Sequence, residues 1–175
     1  MHVKVPQDRL GVLIGKDGET KDKIESTSSV SLKIDSENGS VEVVSKGRNS
    51  IDEMRASDVV KAIARGFSPE NALHLLDDEM LMLDVIEIPA ASPNELKRIS
   101  GRIIGKTGKT RRIMEELTNT LISVYGRTVS IIGFPEQISV VHSALNLLIE
   151  GSTHASVYTF LERKRSEMKH GLNTL

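Results

Sequence analysis

Leu13-Ile14-Gly15-Lys16-Asp17-Gly18-Glu19-Thr20 returns ninety positions later as Ile103-Ile104-Gly105-Lys106-Thr107-Gly108-Lys109-Thr110, and this repeat decides how the chain is divided. The register extends outward from it. Gly11 meets Gly101, Ile24 meets Met114, Glu25 meets Glu115, and the alternating Val30, Leu32 and Ile34 fall on Thr120, Ile122 and Val124. Two copies of one folding unit are the simplest account of a chain of 175 residues, since each copy then has the size of an independent domain.

Periodicity gives the same order of elements in both copies. Alternation at Val3 and Val5, and again from Val85 to Ile88, predicts an opening strand that stops at Pro6 or Pro89. A short helix leads to the glycine pair, and a second helix starts at Glu19 or Lys109. Strands are predicted at 30–35 and 41–45, and at 120–125 and 129–132, with turns at Asn38-Gly39 and Gly126-Arg127. An amphipathic helix closes each copy, with Val59, Val60, Ile63 and Ala64 on one face in the first. Ile138, Val141, Leu145, Leu148 and Ile149 do the same in the second. Each copy therefore reads βααββα, an α+β fold. Ser68-Pro69-Glu70 is a good helix start between the copies, because serine can cap and proline suits the first turn. The expected division is a first domain at 1–66, a helical connector at 67–81, a second domain at 82–151, and a C-terminal helix and tail at 152–175.

Gly-x-x-Gly between two helices lets the backbone turn where a Cβ would obstruct it, and lets a ligand approach main-chain N–H groups. Those donors, the positive end of the following helix dipole and a lysine after the first glycine together suit a phosphate. A tight helix-helix turn is the plainer account of one such pair. Two pairs in register, each followed by lysine at Lys16 or Lys106, favour the phosphate.

This pattern resembles the K-homology, or KH, domain of type I, over residues 1–65 and 82–151. The resemblance implies two tandem KH domains, each binding single-stranded RNA through a GXXG loop that clamps about four nucleotides. Gly101-Arg102-Ile103-Ile104 through Lys109-Thr110-Arg111, followed by Ile131-Ile132-Gly133, resembles more narrowly the archaeal relatives of the ribosome assembly factor called Partner of Nob, or Dim-two. The charged Lys21 and Arg111, three places after the second glycine where most KH motifs are apolar, support that choice. It implies binding near the 3′ end of small-subunit (16S-type) ribosomal RNA during ribosome maturation and rRNA processing. The Nob-type endonuclease and other assembly or translation factors are the implied protein partners.

The copies differ in charge. Residues 5–25 carry net −1 and residues 95–115 carry net +5. Phosphate contacts dominate affinity, so the second loop is the expected clamp, through Arg102, Gly105, Lys106, Thr107, Gly108, Lys109, Arg111 and Arg112. Ile104 and Ile122, with Ile103, are expected as the apolar floor beneath the bases. Gly15, Lys16, Asp17, Gly18 and Lys21 form a secondary site, since Asp17 would repel a phosphate.

Composition narrows the alternatives. Hydrophobic residues at 38% and charged residues at 27% suit a folded, water-soluble chain. No apolar run approaches the roughly 18 residues of a membrane span, and Met1 to Leu10 alternates polar with apolar, so the expected location is the cytoplasm. Without cysteine there is no thiolate metal site and no catalytic thiol. Gly105-Lys106-Thr107 looks like the end of a P-loop, but Ser100 stands where that motif requires glycine. The five histidines form no pair at metal-ligand spacing, so neither metal nor cofactor is expected and the chain reads as no enzyme. Three percent aromatics disfavour stacking platforms. The alternatives are a KH-fold scaffold for protein partners, docking through the acidic first copy or the last helix, and a general RNA-binding regulator.

Overall fold

The computed structural model describes residues 1–172; the end of the tail, 173–175, lies outside the described residues. The chain divides into two units, Met1–Leu83 and Asp84–Leu175. The first runs β1 (His2–Lys4), α1 (Gln7–Ile14), one 3-10 turn (Lys16–Gly18), α2 (Glu19–Ser28), β2 (Val30–Asp35), β3 (Ser40–Ser45) and α3 (Ser50–Ala64). Its sheet has the order β1-β3-β2. The pairs are antiparallel, with Val3 opposite Val41 and Leu32 opposite Val43. Alternation puts Val3, Val5, Val30, Leu32, Val41 and Val43 on the buried face, where α3 covers them with Ala56, Val59, Val60 and Ile63. The Asn49 side chain caps α3 by accepting the Ile51 N–H at 3.1 Å.

After α3 comes α4 (Pro69–Leu73), then a 3-10 turn at His74–Leu76. Ser68 caps α4 by accepting the Asn71 N–H at 3.2 Å. The helix stops after five residues. Asp77-Asp78 would put negative charge at the negative end of a longer helix, and Asp77 instead bonds the His74 ring at 2.7 Å.

The second unit repeats the plan with β4 (Met82–Glu87), α5 (Pro93–Ile104), a 3-10 turn (Lys106–Gly108), α6 (Lys109–Thr118), β5 (Leu121–Tyr125), β6 (Thr128–Gly133) and α7 (Pro135–Glu150). It adds α8 (His154–Leu172). The strand order β4-β6-β5 matches the first unit, so the βααββα order predicted from periodicity is present twice. Ile122 lies opposite Ile131. Both belong to a core with Ile99, Ile103, Met114, Val141, Leu145 and Leu148, to which α8 contributes Val157 and Leu161.

One difference in α5 has a local cause. It starts at Pro93 and has twelve residues against eight in α1. Ser92 accepts the Glu95 N–H at 3.2 Å and Glu95 accepts the Ala91 N–H at 2.7 Å, a reciprocal cap that fixes the helix start. Ser92-Pro93 is the same Ser-Pro start signal as Ser68-Pro69 at α4.

Candidate nucleic-acid interface

The two glycine loops have nearly the same backbone. Gly15 and Gly105 have φ/ψ of 76/176° and 75/176°, and Gly18 and Gly108 of 77/10° and 77/13°. Between them Asp17 and Thr107 hold left-handed φ of 54° and 55°, which costs a non-glycine residue on the order of 1 kcal/mol. A Cβ on Gly105 would run into the Thr110 side chain, as one on Gly15 would run into Thr20. Glycine at the first position is therefore required twice over, by its backbone angles and by the close approach of the following helix.

In both loops the N–H of the second glycine donates to the carbonyl of the first, Gly18 to Gly15 at 3.3 Å and Gly108 to Gly105 at 3.2 Å. No side chain caps α6, and its first turn carries no acid. The Lys109 amide already donates to the Lys106 carbonyl, so what α6 offers at the loop is the positive end of its dipole. Lys106, Thr107 and Lys109 are exposed around it, with Arg112 one turn further on. Among the described residues Lys106, Lys109 and Arg112 have no ion-pair partner. The first loop presents Lys16 beside exposed Asp17 and Glu19, and α2 begins with acid in its first turn.

Four residues expected at the second site, Arg102, Arg111, Ile103 and Ile122, make other contacts. Arg102 is half-buried and caps the end of the closing helix: its Nε donates to the Leu148 carbonyl at 3.1 Å and its Nη2 to the Ser152 carbonyl. The first unit does the same with Arg9, bonded to the Ile63 and Phe67 carbonyls at 2.8 and 2.7 Å. In the repeat register these arginines lie three places apart, about one helical turn, so they leave the same face. Both place a cation against the negative end of α3 or α7. Arg111 is tied to Glu115 at 2.7 Å. Ile122 is 3% exposed and Ile103 fully buried, so both are core, and of the three isoleucines only Ile104 keeps partial exposure.

The Glu25 and Glu115 pair, visible in the repeat, has a structural part. Glu25 accepts the Leu32 N–H at 2.7 Å and Glu115 the Ile122 N–H at 2.9 Å, tying each second helix to the strand after it. Lys21 and Arg111 complete these ties as ion pairs, which is why charge stands at that register. Residues without a loop motif also meet the site. Tyr158 of α8 shares a hydrogen bond with Thr110 at 2.9 Å, and His154 meets the Arg102 carbonyl at 2.9 Å. No short-range sequence signal points to either.

A glycine-hinged helix pair on a three-stranded sheet, occurring twice, defines a tandem KH-domain protein of type I. A family model described as a eukaryotic type KH-domain (KH-domain type I) matches residues 82–166, and a KH-domain model matches 1–60. A KH domain-containing protein of Methanocaldococcus jannaschii is 45% identical over 95% of this chain and 74% of its own length. In the crystal structure of an a/eIF2alpha-aDim2p-rRNA complex from Pyrococcus horikoshii, a chain 44% identical matches with a TM-score of 0.89, over 95% of this chain and 94% of that one. The pre-rRNA-processing protein PNO1 of Chaetomium thermophilum is 34% identical over 65% of this chain, which spans only 45% of that protein. The chain belongs to the Dim2/PNO1 family of tandem KH proteins.

Proposed function

We propose that this protein binds single-stranded RNA in the maturation of the small ribosomal subunit, with the second glycine loop as the phosphate clamp. The observation that carries this reading is a loop whose glycine positions hold angles that favour glycine, opening on the positive end of a helix dipole with no acid in its first turn and ringed by Lys106, Lys109 and Arg112. Each cation that replaces condensed counterions adds salt-dependent affinity. Thr107 at the loop tip and partly exposed Ile104 flank the path a strand would take, and Arg111 adds charge beside it while held by Glu115. A relative solved together with rRNA and relatives named for pre-rRNA processing support the same class of target. Within that class we assign the 3′ region of 16S-type ribosomal RNA, met in the cytoplasm.

The binding is non-catalytic. Lysine, threonine and arginine around the loop recognise phosphate, and no carboxylate or histidine among them is placed to move a proton. Gly15, Lys16, Asp17, Gly18 and Lys21 share the backbone but not the charge. That loop contributes little to RNA affinity, which leaves the first unit for protein partners such as a Nob-type endonuclease or a translation factor.

The test is binding of labelled RNA covering the 3′ end of small-subunit rRNA across a salt series. It compares wild type, Lys106→Asp/Thr107→Asp and Lys16→Asp. The expected result is loss of most affinity and a flatter salt slope in the second-loop variant alone. No binding of any single-stranded RNA by wild type near physiological salt would overturn the reading.

A further inference from the structure

The helix that follows the second βααββα unit does more than complete a core. Through α8 the chain reaches both flanks of the second glycine loop. Ahead of it, three residues before Gly105, the Arg102 carbonyl meets His154 Nε2 at 2.9 Å, while the Arg102 guanidinium donates to the Ser152 carbonyl. Behind it, two residues after Gly108, buried Thr110 shares its hydroxyl with Tyr158 at 2.9 Å. The His154 and Tyr158 rings lie 6.3 Å apart, one turn apart on α8, so one helical segment holds both sides. Val157, between them in sequence, is fully buried and anchors that segment in the core.

The Thr110 hydroxyl also occupies the space where a Gly105 Cβ would stand. Tyr158 thus fixes the side chain against which the first glycine of the loop is seated. The first unit has no such support. Thr20, in the Thr110 position, is only half-buried, and among the described residues its hydroxyl has no hydrogen-bond partner. The two loops therefore differ in support as well as in charge.

We infer that Tyr158 and His154 are positioning residues for RNA binding, acting through Thr110 and Arg102 to hold the second loop in its phosphate-binding conformation before RNA arrives. Asp17 adopts the same left-handed conformation in the unbraced first loop, so the α8 contacts bear on how firmly the second loop is held and not on which conformation it takes. Holding it in advance spares the bound complex the cost of ordering it. This rests on the second loop being the RNA clamp, and the test separates the two ideas.

The measurement is RNA affinity of the full chain, well below its melting temperature, for Tyr158→Phe, Thr110→Val, their double variant and His154→Ala, beside Lys106→Asp/Thr107→Asp. Removing one net hydrogen bond is expected to weaken RNA binding about fivefold, with the double variant no weaker than either single one. The salt slope should stay unchanged, because every phosphate-contacting cation is retained. Hydrogen exchange in the free protein should quicken at the amides of 106–110 in Tyr158→Phe, a change that loss of global stability alone would spread over the whole unit. If the loop variant abolishes binding while Tyr158→Phe and His154→Ala bind as wild type does, the positioning role falls and the clamp stands. If the loop variant binds as wild type does, the clamp itself is wrong and the positioning role falls with it.

Discussion

Gly101 and Gly105 stand four residues apart, and replacing each by alanine has opposite consequences. Gly101 lies on the exposed side of α5, where a Cβ meets nothing within 4 Å. Alanine there removes the entropic cost of glycine in a helix, so Gly101→Ala is expected to stabilise the second unit by about 0.5–1 kcal/mol. Gly105 has φ of 75° and a Cβ path blocked by Thr110. Gly105→Ala is expected to destabilise by about 1–3 kcal/mol and to weaken RNA binding with it. Chemical denaturation of both variants checks the pair; equal effects would mean that the loop relaxes around alanine. The repeat made both glycines visible but did not rank them, because a repeat records identity and not the backbone angle that identity serves. Arg102 shows the same limit. Its charge was legible, whereas its two carbonyl partners lie 46 and 50 residues away in the chain.

Helix α8 illustrates what an element adds. A helix is expected within 152–175 and is observed from His154, yet nothing in its sequence says which surface it covers. Val157 and Leu161 are both fully buried in the core of the second unit. Leu161→Ala should therefore cost about 2–5 kcal/mol, confined to that unit. Both tyrosines of the chain, Tyr125 and Tyr158, lie in the second unit, so tyrosine fluorescence follows its unfolding while circular dichroism follows both. The expected outcome is a lower midpoint by fluorescence with the first unit's share of the ellipticity change unmoved. A shift of both together would show that the units unfold as one. At the other helix starts the signal is local, and Ser92-Pro93 caps α5 with the same chemistry as Ser68-Pro69 at α4.

Across the whole molecule, two loops of matching backbone carry opposite charge, which makes the chain its own control. Asp17→Thr with Glu19→Lys would give the first loop the residues of the second at those positions. We expect this double substitution, made in the Lys106→Asp/Thr107→Asp background, to restore part of the lost RNA affinity. It should also steepen the salt slope by about 0.7 to 1.4, near 0.7 per phosphate contact on a single strand for one or two added contacts. Recovery stays partial because no α8 braces the first loop. An unchanged affinity would mean that loop geometry and charge together do not make an RNA clamp in this fold.

The repeat, the order of elements, the α+β class and the placing of both glycine loops were determined by the sequence alone. Each rests on local information: a two- or 3.6-residue period, a cap, or glycines at fixed spacing. Tertiary structure decided which side chains stay exposed around the second loop. It turned Arg102 onto the carbonyls at the end of α7 and sank Ile103 and Ile122 into the core, whereas Arg111 meets Glu115 within α6 at the local i,i+4 spacing. It also brought Tyr158 against Thr110 across 48 residues. A long polar side chain bonds whatever donor or acceptor the packed helices bring within reach, and that is settled only when elements distant in sequence have docked.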